Sequence, residues 1–394
     1  MTSRVSFCYY SLVARDAPFI YLDNAATSWP KAPDVAEAVA RGLREPFGNP
    51  GRGAHAGTLS ADRLVFEART TAARLFHFAD SARLIFTPGT TFSLNLVLRG
   101  TLRPGGSVAV SSMEHDSVMR PIRALQRDRG VSLHVFRDMG ELRSIVQARP
   151  DLLLFTSASN VTGATFPFEE MAETASRLSP GTLVGIDAAQ SAGEIPIDLG
   201  SFPFDFFFVS PHKGLLGPAG VGLLFLGPRA APEPLLYGGT GSDSADEEQP
   251  QFLPDRYESG TLNLPGIAGL LAAARYVLKE GVQALGARRK RSAELLREQI
   301  NSIPGYCVHG PPGADERLSI VSVTQASLPI DELARKLDER GIACRHGLHC
   351  APAAHRAIGT LSSGGTVRLS PGPFTTDGEI DAASRSLREI GVGS

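Results

Sequence analysis

FDFFFVSPHKGLLGPAGVGLLFL, residues 204–226, is the stretch on which the fold turns. Two apolar runs, FDFFFVS and VGLLFL, have the length and composition of strands covered on both faces. Between them lies a turn dense in glycine and proline that carries one lysine, Lys213. A charge between two apolar strands is badly placed for solvent. Partial burial lowers an amine's pKa, and a neutral amine is a nucleophile able to form a Schiff base. Ser210 and His212 flank it and can donate to a phosphate. The plain alternative, a solvated loop lysine, fits the flanking sequence poorly.

Outward from this stretch, strand and helix signals alternate. RLIFT (83–87), SVAVSS (107–112), LHVF (133–136), LLLFTSAS (152–159) and TLVGID (182–187) read as strands. LSADRLVFEARTTAARLF (59–76), with Ser60 as a candidate cap, VMRPIRALQRDRG and EEMAETASRL read as helices. The alternation predicts an α/β fold with a mostly parallel sheet sandwiched by helices. Residues 227–256 are rich in Pro, Gly and acid and read as a loop excursion. A long helical region is expected over about 265–301, with the basic run ARRKRS (287–292) on a solvated face. LSIVSVTQ (318–325), IDELARKLDERG, TVRLS (366–370) and DGEIDAASRSLREIG then predict a smaller C-terminal α/β domain. The expected division is an extension at 1–20, a large domain at 21–262 and a small domain at 263–394.

Composition narrows the class. The chain has 394 residues, 42% hydrophobic and 20% charged, which excludes intrinsic disorder and coiled coil. Lys plus Arg at 39 against Asp plus Glu at 41 gives a net charge of −2 and no global electrostatic case for nucleic acid or an anionic membrane. Four cysteines form no disulfide framework, so a reducing, cytoplasmic setting is expected. No apolar run approaches the ~20 residues that span a bilayer. Residues 1–20 read as a loosely attached extension or a misplaced start.

Ligands of open α/β sheets bind at the carboxyl ends of the strands, so the residues that follow each strand matter most. Thr90 and Thr91 open a helix after RLIFT, either as a phosphate cup or as an N-cap without a ligand. Asp187 ends TLVGID, where a carboxylate needs a cation, either a protonated pyridine nitrogen or a nearby arginine. A phosphate cup, a pyridinium-pairing Asp and a Schiff-base Lys are together the parts for pyridoxal phosphate. Cys350 stands in IACRHGLHCAPAAHRA (342–357) beside Arg345, His346, His349 and His355. Basic neighbours favour a reactive thiolate. A metal reading through His346, His349 and Cys350 lacks a fourth ligand, so no metal is expected. Cys344, in apolar surroundings, reads as inert.

With these residues in place the chain resembles the class V aminotransferase family, in its cysteine desulfurase and selenocysteine lyase branch. The likeness runs from about residue 20 and is carried by YLDNAATSWPK (21–31), NPGRGAHAGTLSA (49–61), TPGTTFSLNLV (87–97), MEHDSVMRP (113–121), DAAQSAGEIPIDL (187–199), SPHKGLLGPAGVG (210–222), RYESGTLN (256–263), RHGLHCAP (345–352) and TVRLSPG (366–372). It implies the pyridoxal phosphate-dependent fold type I, with Lys213 as covalent anchor, Asp187 at the ring nitrogen, Gln190 at the ring hydroxyl and His115 stacked on the ring. It further implies phosphate contacts from Thr90, Thr91, Ser210 and His212, and from Thr261 of a second subunit in a homodimer. Asn24, Ala26, Asn160, Arg345 and Arg368 match substrate-holding positions, and Cys350 matches the sulfur-accepting nucleophile. The activity implied is conversion of L-cysteine to L-alanine with a persulfide left on Cys350 for a sulfur-acceptor protein. A selenocysteine lyase, an epimerase or aminotransferase on a small amino acid, and a non-catalytic scaffold for a sulfur-handling partner are the alternatives. The short RHGLHCAP loop is similar to the group II branch, although His346, Leu348 and Leu262 stand where that branch usually carries a small residue, His and Pro.

Overall fold

The computed structural model describes residues 19–51, 53–242 and 245–392. Cys8 and most of the extension expected at 1–20 lie outside the described residues. The chain opens with strand β1 (Ile20–Tyr21) and helices α1 (Val35–Arg44) and α2 (Ala56–Leu75). Strands and helices then alternate through β2 (Leu84–Thr87), α3 (Thr90–Thr101), β3 (Ser107–Ser111), α4 (Asp116–Arg129), β4 (Ser132–Phe136), α5 (Met139–Gln147), β5 (Leu152–Thr156), α6 (Phe168–Leu178) and β6 (Leu183–Asp187). β7 (Phe206–Val209) and β8 (Gly222–Leu226) follow, then α7 (Leu264–Glu280) and α8 (Val282–Asn301). The last part holds β9 (Tyr306–His309), β10 (Val321–Gln325), α9 (Ile330–Glu339), β11 (Ile342–Ala343), β12 (Arg345–Gly347), α10 (Pro352–Ala357), β13 (Thr366–Leu369) and α11 (Asp377–Val392).

Seven strands form one sheet in the order β2-β8-β7-β6-β5-β3-β4. β8 runs antiparallel to β2 and β7, and every other pair is parallel. This is the expected α/β architecture. Its physical basis is the period of two along a strand. Phe207, Val209, Leu223 and Phe225 enter the core under α2, α6 and α7, whereas Phe206, Phe208, Leu224 and Leu226 enter the core under α3 and α4. Both faces are covered, so the strands read as unbroken apolar runs. The second sheet is antiparallel, in the order β12-β13-β10-β9. Its core unites Ile20 and Leu22 with residues of α8, α9 and α11, and β1 pairs in parallel with β11.

Three local expectations are corrected. Helix α2 begins at Ala56 after His55, so Ser60 lies exposed inside it and caps nothing. The helical region at 265–301 is two helices, broken at Gly281, whose φ of +84° suits glycine alone at little cost. Within the basic run, Arg289 is 2% exposed and its guanidinium donates to the carbonyls of Gly193 and Gly214. It is an internal clamp on the turn after Lys213, whereas Arg288 and Arg291 are exposed as expected.

One buried ion pair ties the edge of the large sheet to the segment before α7. Arg69 on α2 meets Glu258 through two contacts of 2.8 Å, and Glu258 also accepts the backbone N–H of Phe86 at 2.6 Å. Both side chains are nearly fully buried, and Arg69 also lies over the Phe86 ring. Replacing Glu258 by Ala leaves the buried Arg69 guanidinium with only the Leu84 carbonyl as acceptor and no counter-charge, and the Phe86 N–H with no acceptor. The expected loss of unfolding free energy is about 3–5 kcal/mol, read from denaturant midpoints at unchanged m-value. A loss below about 1 kcal/mol contradicts the assignment of this pair as the tie.

Candidate active site

The carboxyl ends of β2, β5, β6 and β7 surround one cleft of about 520 Å³, closed on the far side by the loop after β12. Lys213, Asp187, His115, Gln190, Thr90, Thr91, Ser210 and His212 line it, together with Ala26, Asn160, Arg345 and Cys350. Twelve of the residues singled out from the sequence therefore meet in one place. Asn24, Thr261 and Arg368 are not among its lining residues.

Each side chain owes its place to a particular local structure. Asp187 is the last residue of β6 and is 5% exposed. Its Oδ1 accepts the N–H of Ala189 at 2.9 Å. Burial pushes this carboxyl above its ordinary range, while the Ala189 N–H and the Lys213 amine pull it back. No carboxylate–cation pair engages Asp187 among the described residues, so a positively charged ring nitrogen would supply what this strand end lacks. Lys213 lies in the turn between β7 and β8. Gly214 and Gly193 make room for that turn: a Cβ on Gly214 would stand 2.2 Å from the Ala192 carbonyl oxygen. Enclosure by protein pushes the Lys213 amine down to about 8, with Asp187 opposing the shift and Arg368 and Arg345 adding to it.

The N-terminus of α3 forms the cup. Thr90 Oγ1 and Ser210 Oγ lie 2.6 Å apart at the first turn of a twelve-residue helix, where free N–H groups and the helix dipole favour an anion. His212 Nδ1 contacts Thr27 Oγ1 at 3.1 Å, and burial pushes its imidazole down to about 4, so it is neutral. On the opposite wall His115 caps α4: its Nδ1 accepts the N–H of Ser117 at 3.1 Å. That places the ring proton on Nε2 when the imidazole is neutral, and burial with nearby Lys213 holds it neutral by pushing it down to about 4. The cleft thus presents donors for a phosphate, a carboxylate for a ring nitrogen, a flat imidazole for a ring face and an amine for an aldehyde. This donor set fits pyridoxal phosphate.

Cys350 is brought in by the second sheet. Arg345 Nη2 stands 3.4 Å from Cys350 Sγ. The Asp116 N–H donates to the Cys350 carbonyl and Asn160 Nδ2 donates to the His349 carbonyl, each at 2.7 Å. Arg368, 1% exposed, sits beneath: Nη1 donates to the Asn160 carbonyl at 2.8 Å and Nη2 pairs with Asp23 at 3.1 Å. Asn24 is a floor residue, bonding the Ser370 carbonyl and the Trp29 N–H. Thr261 is exposed and lines a neighbouring hollow that shares Pro88 and Phe92 with the cleft. Burial pushes the Cys344 thiol up to about 12, as its apolar setting led one to expect. Among the described residues no cluster of three or more His, Cys, Asp or Glu is arranged to hold a metal. No helix of the described residues is long and apolar enough to cross a membrane.

Sequence reasoning missed two enclosed groups. Lys31 Nζ bonds Thr27 Oγ1, Ser28 Oγ and the His212 carbonyl, and burial pushes it down to about 8. Glu114, fully buried beside His115, accepts from Ser111 Oγ and the Thr156 N–H, and burial pushes it up to about 8. The type pattern at either position gives no signal, because both depend on what the fold stacks over them.

The fold and this cleft define an enzyme of the class V aminotransferase type. The chain belongs to the class V aminotransferase family, whose model matches residues 20–383. It is 34% identical to a probable cysteine desulfurase of Methanothermobacter thermautotrophicus, over 97% of this chain and 98% of that protein. It is 29% identical to a cysteine desulfurase of Serratia proteamaculans, over 97% of this chain and 96% of that protein. The solved apo structure of a cysteine desulfurase from Thermococcus onnurineus superposes with a TM-score of 0.88 at 27% identity, covering 95% of both chains.

The depressed Lys213 amine makes a pH test. Its neutral form grows as pH rises through about 8. Covalent uptake of pyridoxal 5′-phosphate by the cofactor-free protein should therefore quicken about tenfold per pH unit below that value and level off above it. A Lys31→Met variant should keep the same profile, which separates the two lysines. A profile that climbs without a plateau to pH ~10 contradicts the placement of Lys213.

Proposed function

We propose that the chain is a pyridoxal 5′-phosphate-dependent cysteine desulfurase that converts L-cysteine to L-alanine and leaves the sulfur as a persulfide on Cys350. The observation that carries this reading is the meeting of Lys213, Asp187 and Cys350 in one cleft. A lysine and an aspartate alone would suit many reactions of this cofactor. A cysteine beside a guanidinium in the same cleft narrows them to chemistry on sulfur. The relatives that bear the name cysteine desulfurase support the same reading.

In this reading Lys213, Asp187, Gln190 and His115 hold the ring, and Thr90, Thr91, Ser210 and His212 hold the phosphate. Thr261, exposed on its own subunit, reaches the phosphate of a partner in a two-fold dimer. Exposed Phe66 and Leu236, near the Thr261 segment, supply apolar surface for that contact. When bound, the cofactor supplies a sink for the electron pair released at the substrate's α-carbon. The chain's own residues do the rest. Lys213, as the neutral amine, takes the α-proton. Asp187 keeps its negative charge against the ring nitrogen. Arg345, Asn160 and Ala26 contact the substrate, with Arg368 holding the Asn160 carbonyl from beneath and Asn24 bracing the Ser370 carbonyl. A guanidinium gives the substrate carboxylate a planar fork that an ammonium cannot match. Cys350 attacks the substrate sulfur: the Sγ–S bond forms, the Cβ–S bond breaks, the electron pair left on carbon takes a proton to complete the methyl group, and the proton held by Lys213 returns to the α-carbon to give alanine. His115, neutral with its proton on Nε2, is placed to move that proton or the one on the substrate thiol. An acceptor protein then collects the persulfide sulfur.

Purified protein given L-cysteine and a thiol reductant should release sulfide and alanine in equal amounts. Cys350→Ser should keep the visible absorbance of the bound cofactor and lose sulfide release by at least about a hundredfold. Sulfide release by the Ser variant at the wild-type rate would remove Cys350 from the reaction.

A further inference from the structure

The segment that carries Cys350 is held in a conformation that side chains resist. His349 has φ +49° and Cys350 has φ +57°, two consecutive non-glycine residues in the left-handed region. Such a pair persists only where its surroundings fix it from several sides. The cleft side contributes the bonds from Asn160 and Asp116 to the two carbonyls. The opposite side contributes two histidines that the proposed chemistry leaves unused.

His349 is 2% exposed and His355, from α10, is 0% exposed. Their rings lie 5.4 Å apart at 41°. His349 Nε2 contacts Thr366 Oγ1 at 3.0 Å, and His355 Nδ1 contacts Thr360 Oγ1 at 2.7 Å. The remaining nitrogen of each ring, Nδ1 of His349 and Nε2 of His355, is buried with no protein partner. The Thr366 anchor is informative because Thr366 also faces Gly347 in the β12–β13 ladder, in which Arg345 faces Arg368. One residue thus receives the backbone pairing at 347 and the side chain of 349, which folds the chain between them into a tight turn. Gly365 permits that approach, since a Cβ there would stand 2.1 Å from the Gly347 carbonyl oxygen. Arg345, at the start of the turn, and Cys350, at its end, are thereby held together at 3.4 Å. An aliphatic pair would fill the same space without a directional bond to the strand.

We propose that His349 and His355 are positioning residues: a pair of tilted imidazoles in contact, anchored on Thr366 and Thr360, that holds the left-handed turn and so sets where the Cys350 thiol stands in the cleft. The proposal rests on the reading of Cys350 as nucleophile. The ring contact makes His355 act through His349, and neither ring lines the cleft.

The test uses the cofactor-loaded enzyme and three variants, Thr366→Val, His355→Leu and His349→Asn, beside His349→Ala. Asn tolerates the left-handed region and Ala does not. Two quantities are read: the rate of Cys350 alkylation by iodoacetamide, followed on its tryptic peptide, and kcat and KM for L-cysteine. Thr366→Val, the mildest change, and His355→Leu should keep cofactor absorbance and keep KM within about twofold, while kcat falls at least about tenfold and the alkylation rate changes at least about threefold. His349→Asn should retain more of kcat than His349→Ala. Wild-type alkylation and kcat in both Thr366→Val and His355→Leu would overturn the proposal, as would equal loss in the Asn and Ala variants. Alkylation is read without turnover. Absence of sulfide release by the wild-type enzyme would thus sink the desulfurase reading, while the alkylation comparison still decides the role of the pair.

Discussion

An amine enclosed between two buried strands, facing a carboxyl at the end of the next strand, is the constraint on which the rest of the molecule depends. Neither group is comfortable. Enclosure drives Lys213 toward its neutral form and Asp187 toward its protonated form. Each is the other's partial remedy, and a ring bearing an aldehyde and a basic nitrogen satisfies both at once. The strand order makes the meeting possible: β6 and β7 are neighbours in the sheet, and Asp187 faces Phe208 in their register. The glycines at 193 and 214 let the two connections pass within van der Waals distance, and Arg289 clamps their carbonyls from behind.

Around that pair the architecture divides the work. The large sheet supplies the groups that the proposed function assigns to a flat, phosphorylated cofactor, each at the end of its own strand or the start of the helix after it. The small sheet supplies Arg345 and Cys350 from the β12–β13 corner. The two sets are joined by polar bonds, from Asp116 to Cys350, Asn160 to His349 and Arg368 to Asn160, with Arg368 held in turn by Asp23 after β1. A displacement of the small sheet would therefore move the thiol relative to the amine, which is why the geometry of the Cys350 turn bears on the reaction.

Much of this was legible in the sequence for a physical reason. Strands covered on both faces read as apolar runs, and the residues after them stand at the mouth of the sheet, so Thr90, Asp187 and Lys213 could be picked out from position alone. The basic residues around Cys350 marked its thiol, and the resemblance to a family then added its sulfur-accepting role and the substrate-holding set. What was hidden depended on contacts distant along the chain. Arg289 lies among three basic neighbours, and nothing local distinguishes the one whose carbonyl acceptors lie 75 and 96 residues away. Gly281 breaks a helix whose two halves are each helical, and an isolated glycine costs a helix only about 1 kcal/mol, too little to mark the break. Ser60 has the right chemistry for a cap. The helix instead starts at the tight passage around Gly57, where a Cβ would meet the Pro46 carbonyl oxygen at 2.4 Å. The left-handed pair at 349 and 350 has no glycine or asparagine to announce it.

The central claim is a covalent bond at one nitrogen. The most direct measurement is borohydride reduction of the protein loaded with pyridoxal 5′-phosphate, followed by proteolysis and mass mapping of the modified lysine. The account predicts a single reduced adduct on the peptide that contains Lys213. An adduct on Lys31, or a protein that carries no adduct after loading and reduction, would contradict it.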